Sequence, residues 1–545
     1  MQKLKIRLVA FPILLFLILW AIIFYVLCPA INIHLPGFWI ILIATFVVCA
    51  LFTYLLMVHY NTSYNLSCST PAKVWAFGAG GLLVIFLRLM LISSPLFQSK
   101  AYRDRITVNE KDEAAFIADI PTTKEISKIS LMDTTSASKL GDRVLGTLSD
   151  VVSQFEMGSY ATIELNGDIM KVAPLKYGDF FKWCSNSDTG IPGYVLVNPV
   201  TSEAKFVAVE GGIHYAPSAF FNKDLIRHVR MKYPTKVFGE PTFQIDNEGN
   251  PFWLIPTLKF NTVLECSIPE GAIMCNATTG KCEYYSIAEL PEYADLVFSG
   301  TMVEELYDSH GKYINGFFNF SKKGITMTTD DYGYLCVGSD IYIYTGITSI
   351  AADESNLGFI LVNSRTGEFN YYTMAGAEEY SAMSAAAGAV QNYGYTASFP
   401  SLVNIDGVPT YVMVLKDSND LIKMYALVNV KNYTIVAVSE TLEKCISNYK
   451  EALVNAGTSG NIDINDTELI KNASLTITDI QYINVNGNTI VYIKGDNNKI
   501  YKQAFADNEN LIFLNVGDTI KVSYYNEDTI ITIHSFEKWK PVELE

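Results

Sequence analysis

No acidic residue precedes Asp104, and ahead of it lie three long apolar runs, Leu8 to Cys28, Phe38 to Val58 and Val74 to Phe97. At about 1.5 Å of rise per residue, each is long enough to cross a hydrocarbon core of about 30 Å. Residues 1–98 are therefore expected to form a three-helix transmembrane anchor, and 99–135 a linker. Six of the 40 basic residues (Lys3, Lys5, Arg7, Lys73, Arg88 and Lys100) precede Ala101, which leaves 34 against 56 acidic residues from Ala101 to Glu545. That polar region carries a net charge of −22.

Positive charge sets the expected orientation. Lys3, Lys5 and Arg7 flank the first run and Lys73 opens the third, whereas Pro29 to Gly37 has no Lys or Arg. The N-terminus is thus expected in the cytoplasm of a cell membrane, with residues 101–545 extracytoplasmic. Lys100, Arg103 and Arg105 oppose this, but long translocated domains are largely insensitive to flanking charge. The first run lacks an Ala-x-Ala site and is followed at once by a second span, so it is expected to stay as a span. Arg88 stands between Leu87 and Leu89 in the third run, a costly intramembrane charge expected to snorkel or to meet a partner. Ala76 and Gly80 form a small-x-x-x-small pattern through which another helix could associate.

Beyond the anchor, an apolar strand ending in Asn and running into a turn occurs four times. The copies are Tyr194 to Asn198, Ala272 to Asn276, Phe359 to Asn363 and Tyr425 to Asn429, and each is expected to open a hairpin. Helical patterns precede them at Ser136 to Glu156, Phe221 to Lys232, Met302 to Tyr313 and Glu378 to Tyr393. The predicted class is α+β: four tandem units of a helix on an antiparallel meander, at 136–209, 219–285, 299–372 and 376–456, the last closed by a helix from Glu440 to Ala456. Pro241 to Asp246 with Pro251-Phe-Trp253 matches Pro400 to Asp406 with Pro409-Thr-Tyr411, which indicates duplication.

A helix followed by three or four strands, with the phrase apolar strand, Asn, x-x-Thr-Gly, aromatic strand, resembles PepSY and related cystatin-like modules of bacterial envelope proteins. The run Tyr177 to Trp183, then Gly193 to Asn198, Arg227-His228 and Phe243 to Asp246, resembles uncharacterised membrane-anchored envelope proteins of Gram-positive anaerobes. The resemblance covers most of residues 1–440 and departs from the pattern in length and in insertions such as Pro174 to Ile191. It implies binding or regulation, protease control included, and transfers no catalytic residue.

After a linker at Gly457 to Gly460, residues 464–545 read as a small OB-like β-barrel with strands at Ser474 to Ile483, Thr489 to Lys494, Lys499 to Phe505, Leu511 to Leu514 with Thr519 to Tyr525, and Thr529 to Ser535. Turns at Asn486 to Asn488 and Gly495 to Asn497 separate them. From Asn461 onward there are seven Lys, no Arg and 13 acidic residues, which argues against nucleic acid as a partner.

Catalytic motifs are missing: six His include no HExxH pair, no GxSxG elbow occurs, and Asp133 to Ser136 before an apolar-periodic segment reads as a helix N-cap. No cofactor is expected. Glu304, Asp308 and His310, with Glu305, form the densest group of possible metal ligands, and on a helix Glu304 and Asp308 lie one turn apart. Arg227, His228 and Arg230 are the one basic concentration in the acidic region and could bind a phosphate or carboxylate. Asp330-Asp331 reads as a turn. Cys275 and Cys282 flank a predicted turn and could face each other across it, as free thiols or as a disulfide. These features point to a membrane-anchored envelope binding, scaffold or regulatory protein, with a peptide, a cell-wall polymer or a second membrane or envelope protein as partner. The alternatives are an envelope hydrolase using an acidic and His pocket, or a membrane sensor subunit.

Overall fold

The computed structural model describes residues 2–64, 70–122, 129–329, 331–350, 355–456, 471–485, 488–505, 508–524 and 530–538. The linker at 457–460, the first two residues of the turn at Asn486, and Asp330 lie outside the described residues. The chain divides into two units, the first comprising Met1–Ser381 and Ser398–Val403, the second Ala382–Ala397 and Asn404–Glu545.

In the first unit three helices, Gln2–Leu27, Pro36–Tyr64 and Thr70–Ser93, contain apolar stretches of 19, 24 and 23 residues that can cross a membrane. Their aromatic rings interlock where Phe16 meets Phe46 at 5.6 Å and Trp75 at 5.9 Å. Gly78 lies against Phe46, so close that a Cβ there would stand 2.9 Å from the ring. A short helix, Pro95–Arg103, leads out of the third span, with Pro at its first turn, where the missing N–H costs nothing.

Three separate sheets follow, and one strand order recurs in them. A long central strand (Asp168–Tyr177, Pro251–Phe260 or Asp340–Ser349) carries two short strands on one side. On its other side come two further strands, Ile191–Val197 then Ala204–Ile213, Ser267–Asn276 then Cys282–Ser286, or Ser355–Asn363 then Phe369–Ala377. The Asn that ends each apolar strand sets the following turn. Asn198 Oδ1 accepts from the N–H of Val200 and Thr201, Asn276 Oδ1 from Thr278 and Thr279, and Asn363 Oδ1 from Arg365 and Thr366. Two of these turns close through a left-handed glycine, Gly280 (φ +75°) and Gly367 (φ +71°), while Ser202 takes the same conformation at φ 59° in the first.

The middle sheet is buried on both faces. Trp253, Ile255, Ile273 and Cys275 join the core with the first sheet, while Phe252, Leu254 and Ala272 point the other way into the core with the third. That alternation is the period-2 geometry of a strand, used here to bind three layers. The stretch expected as a linker is part of the fold. Val108–Lys111 pairs in parallel with Phe369–Ala377, and buried Phe116 stacks on Phe359 at 5.3 Å. Its buried apolar residues, Ile106, Phe116, Ile120, Ile129, Leu131 and Met132, are too irregularly spaced to show a period.

In the second unit, Thr396–Ala397, Val408–Lys416, Ile422–Asn429 and Val436–Ser439 form a sheet, and Leu442–Asn455, capped by Thr441, packs on it. A closed five-stranded barrel follows, in the order Lys471–Val485, Asn488–Gly495, Ile500–Ala504, Ile530–Lys538, Thr519–Tyr524. The expected strand at Leu511 to Leu514 is instead part of a 3-10 helix, Glu509–Phe513, that drops Leu511 into the barrel core. A lone apolar stretch does not distinguish the two.

Asp295 is fully buried in the first unit, where its Oδ2 accepts from Glu164 N at 2.8 Å. Burial pushes its carboxyl up to about 8. A raised acid binds its proton more tightly folded than unfolded, so stability falls as pH rises from about 4 towards 8. Asp295→Asn is therefore expected to stabilise the protein by about 1–3 kcal/mol at pH 8 and to leave it unchanged near pH 4, read by thermal melting at both pH values.

Candidate functional site on the helix Leu225–Lys232

The short helix Leu225–Lys232 begins where Asp224 caps it, its side chain accepting from Arg227 N at 2.7 Å. Leu225 and Val229 face the core. Arg227 and Arg230 leave from the face that meets the first span, and His228 and Lys232 face the second sheet.

By sequence, Arg227, His228 and Arg230 could bind a phosphate or carboxylate; in the structure both arginines are bound within the fold. Arg227 Nε donates to Tyr25 O at 2.8 Å and its Nη1 to Phe221 O at 2.6 Å, with the guanidinium 5.0 Å from the Tyr25 ring centre. Arg230 is 5% exposed. Its Nε donates to Cys28 O at 3.0 Å, its Nη1 to Tyr233 O at 3.1 Å and to Lys236 O, and the guanidinium lies 3.8 Å from the Phe238 ring centre. Cys28 leaves the first helix with φ 48°, a left-handed residue just after the last turn. Carbonyls at a helix C-terminus lack intrahelical partners and carry partial negative charge, so two guanidinium groups satisfy them and complement the dipole.

The same joint continues along the polar domain. Ile31 N donates to Pro234 O at 2.9 Å and Asn32 Nδ2 to Thr235 O at 3.0 Å. The His34 ring stacks on Phe260 at 5.3 Å, and Leu264 N donates to Ser93 Oγ at 2.9 Å at the end of the third span. The Pro29 to Leu35 connection and the end of the third span thus share one side with the polar domain.

Much of the acidic group is engaged at this joint as well. On Gly300–Lys312, Glu305 pairs with the buried Arg105 at 3.0 Å, Ser309 Oγ accepts from Arg105 Nη2 at 2.6 Å, and His310 Nδ1 lies 2.9 Å from Arg103 O. Asp308 Oδ1 accepts from Thr328 N at 2.8 Å and from its hydroxyl at 3.0 Å. Glu304, Asp308 and His310 do not converge as ligands, because the chain leaving the membrane uses this helix as its seat. Among the described residues one trio does converge: His228, Cys275 and Cys282, with ligand atoms within 4.8 Å of one another.

Cys275 and Cys282 are directly opposite in the hairpin register, as the sequence allowed, and both are buried free thiols with Sγ atoms 2.7 Å apart. His228 Nε2 lies 2.8 Å from Gly280 O, and Lys232 Nζ donates to Cys282 O. The hydrogen bond with Cys275, then His228 and Lys232, hold the Cys282 thiol below the ordinary thiol range against burial, whereas the same thiol contact and burial raise Cys275. The contact with Cys282 in turn raises His228. A soft metal would find two sulfurs and one imidazole here, while Lys232 adds positive charge that favours the Cys282 thiolate. The cross-strand spacing was visible in sequence; His228, more than 40 residues away, was not.

The remaining intramembrane residues stand apart. Arg88 is exposed on the third span, as are Ala76 and Gly80, and no atom lies within 4 Å of where a Cβ on Gly80 or Gly81 would stand. Comparison of the chain with family models and with curated proteins gives no match.

Two outcomes are expected. Arg230→Ala, which strands three carbonyls, destabilises the first unit by about 3 kcal/mol, and Arg230→Lys restores less than half because an ammonium cannot fork. Differential scanning fluorimetry of the full chain in detergent reads both. Thiolate absorbance at 240 nm shows a step below the ordinary thiol range that is lost in Cys282→Ser and moves to higher pH in His228→Ala.

Proposed function

We propose that this chain is a cell-envelope scaffold or binding protein whose extracytoplasmic region is coupled rigidly to its transmembrane anchor. One observation carries the reading: buried Arg230 ties the carbonyl at the end of the first span to two carbonyls of the polar domain. A tethered enzyme needs only a flexible leader, whereas three span ends fastened by Arg227 and Arg230, His34 and Ser93, and Arg103 and Arg105 fix position and orientation. The N-terminus is taken as cytoplasmic on the charge argument, with residues 101–545 outside.

We read the four recurring sheets as PepSY-like modules and the barrel as OB-like. The barrel's closed order, with Ile500–Ala504 parallel to Ile530–Lys538, supports the latter. The partner is a peptide, a cell-wall polymer or another membrane protein, and the open Ala76 and Gly80 face offers a helix–helix contact. A hydrolase built on Glu304, Asp308 and His310 is disfavoured, since Asp308 and His310 are already engaged with Thr328 and Arg103.

Grafting residues 101–545 onto an unrelated three-span anchor through a long Gly/Ser linker tests the reading in cells lacking the native gene. Loss of complementation by the folded, correctly exported graft is expected. Full complementation would show that position relative to the membrane is dispensable and would leave a tethered or soluble activity.

A further inference from the structure

We infer that the first unit is seated in the bilayer interface by two clusters of exposed aromatic side chains, which lie among phospholipid headgroups beside the span ends. The inference rests on the membrane anchor and not on the scaffold role.

From Ala101 to Ser381, seven phenylalanines are exposed among the described residues, and all fall in two clusters. Phe180, Phe181, Phe220 and Phe221 form the first, with Trp183. Phe180 packs on Trp183 at 5.9 Å and on Phe220 at 5.0 Å, and Trp183 on Phe221 at 5.7 Å. Phe317, Phe318 and Phe320 form the second, in ring contact at 5.3 and 5.9 Å. Phe181 is 78% exposed, Phe318 65% and Phe320 85%. Rings so exposed on an otherwise acidic domain mark an interaction surface.

Their depth identifies the occupant. The Arg227 guanidinium bonds Phe221 O and Tyr25 O together, and Tyr25 OH donates to Asn222 Oδ1 at 3.2 Å. The backbone at Phe221 is therefore level with the last turn of the first span. At the other cluster, Arg103 Nη1 reaches Ile314 O at 3.5 Å, and a Cβ on Gly316 would lie 4.0 Å from Ser99 Oγ. Ser99 lies on Pro95–Arg103, the helix that follows the third span and exposes Leu96 and Phe97. Both clusters thus continue the apolar surface of the span ends.

Charge agrees with depth. Lys182 and Lys223 flank the first cluster and exposed Lys322 and Lys323 follow the second, in a region whose net charge is −22. Asp179 lies 4.0 Å from Lys182, and Lys223 lies 4.3 Å from the Tyr215 ring centre. Aromatic rings with adjacent lysines are the composition of a membrane–water interface, where rings enter the headgroup layer and ammonium groups meet phosphates.

The test uses the full chain in nanodiscs containing phospholipid alone, with Cys184→Ser to remove the thiol exposed among the described residues and Cys68→Ser to leave no competing label site before the polar domain. An environment-sensitive fluorophore is attached through Phe181→Cys, Phe318→Cys or, as a control on the exposed turn at the far end of the first sheet, Glu203→Cys. At positions 181 and 318 the expected result is blue-shifted emission, quenching by nitroxide lipids and protection from aqueous iodide; at 203, iodide quenches and the lipid does not. Phe181→Trp and Phe318→Trp, read with brominated lipids, give the same comparison with the aromatic ring retained. Aqueous behaviour at 181 and 318 overturns the inference. So does protection found in native membranes but not in lipid-only discs, which would assign the clusters to a protein partner.

Discussion

The buried guanidinium of Arg230 is the constraint on which the membrane end of the structure depends. Taking such a charge out of water costs several kcal/mol unless its donors are met. Here Cys28, Tyr233 and Lys236 supply carbonyl oxygens and Phe238 an aromatic face. Burial brings the group down to about 10, with Cys28 opposing, so it stays charged at neutral pH. The end of a transmembrane helix needs cations and donors, and a buried arginine needs acceptors; each meets the other's requirement.

That helix joins the anchor to a layered core. Val229 faces the interior shared by the first and second sheets, and the alternating sides of Pro251–Phe260 bind that core to the one holding the third sheet. At the far end Arg105, reaching Glu305, Ser309 and Ser267 O, fastens the chain leaving the third span. Displacement of a span end is thereby resisted by packed sheets and not by a flexible leader. The thiol pair lies on the same route, because His228, which holds Cys282, is on the helix of Arg227 and Arg230.

Local chemistry was legible in the sequence. Apolar length marked three spans, Asn before a short polar stretch marked hairpins, and Asp133 proved a true cap, accepting from Ser136 N. The face-to-face cysteines followed from spacing alone. Chemistry made by distant segments was not legible. A basic trio at helical spacing reads as an anion site, since nothing near Arg230 in the chain reveals that Cys28 O waits about 200 residues upstream. Of Glu304, Asp308 and His310, which read as a ligand set, Asp308 is met by Thr328 and His310 by Arg103. Residues 99–135 looked like a linker because a four-residue edge strand, a seven-residue helix and irregularly spaced apolar residues leave no periodic signature.

Rigid coupling through Arg230 is the central claim, and the most direct measurement is the distance distribution between spin labels at Val9, in the first span, and Glu203, at the tip of the first sheet, by pulsed dipolar spectroscopy in nanodiscs. The account predicts one narrow distribution for the native chain, broadened in Arg230→Ala while the fold of the sheets persists. A broad distribution in the native chain, or one unchanged by loss of the guanidinium, would contradict it.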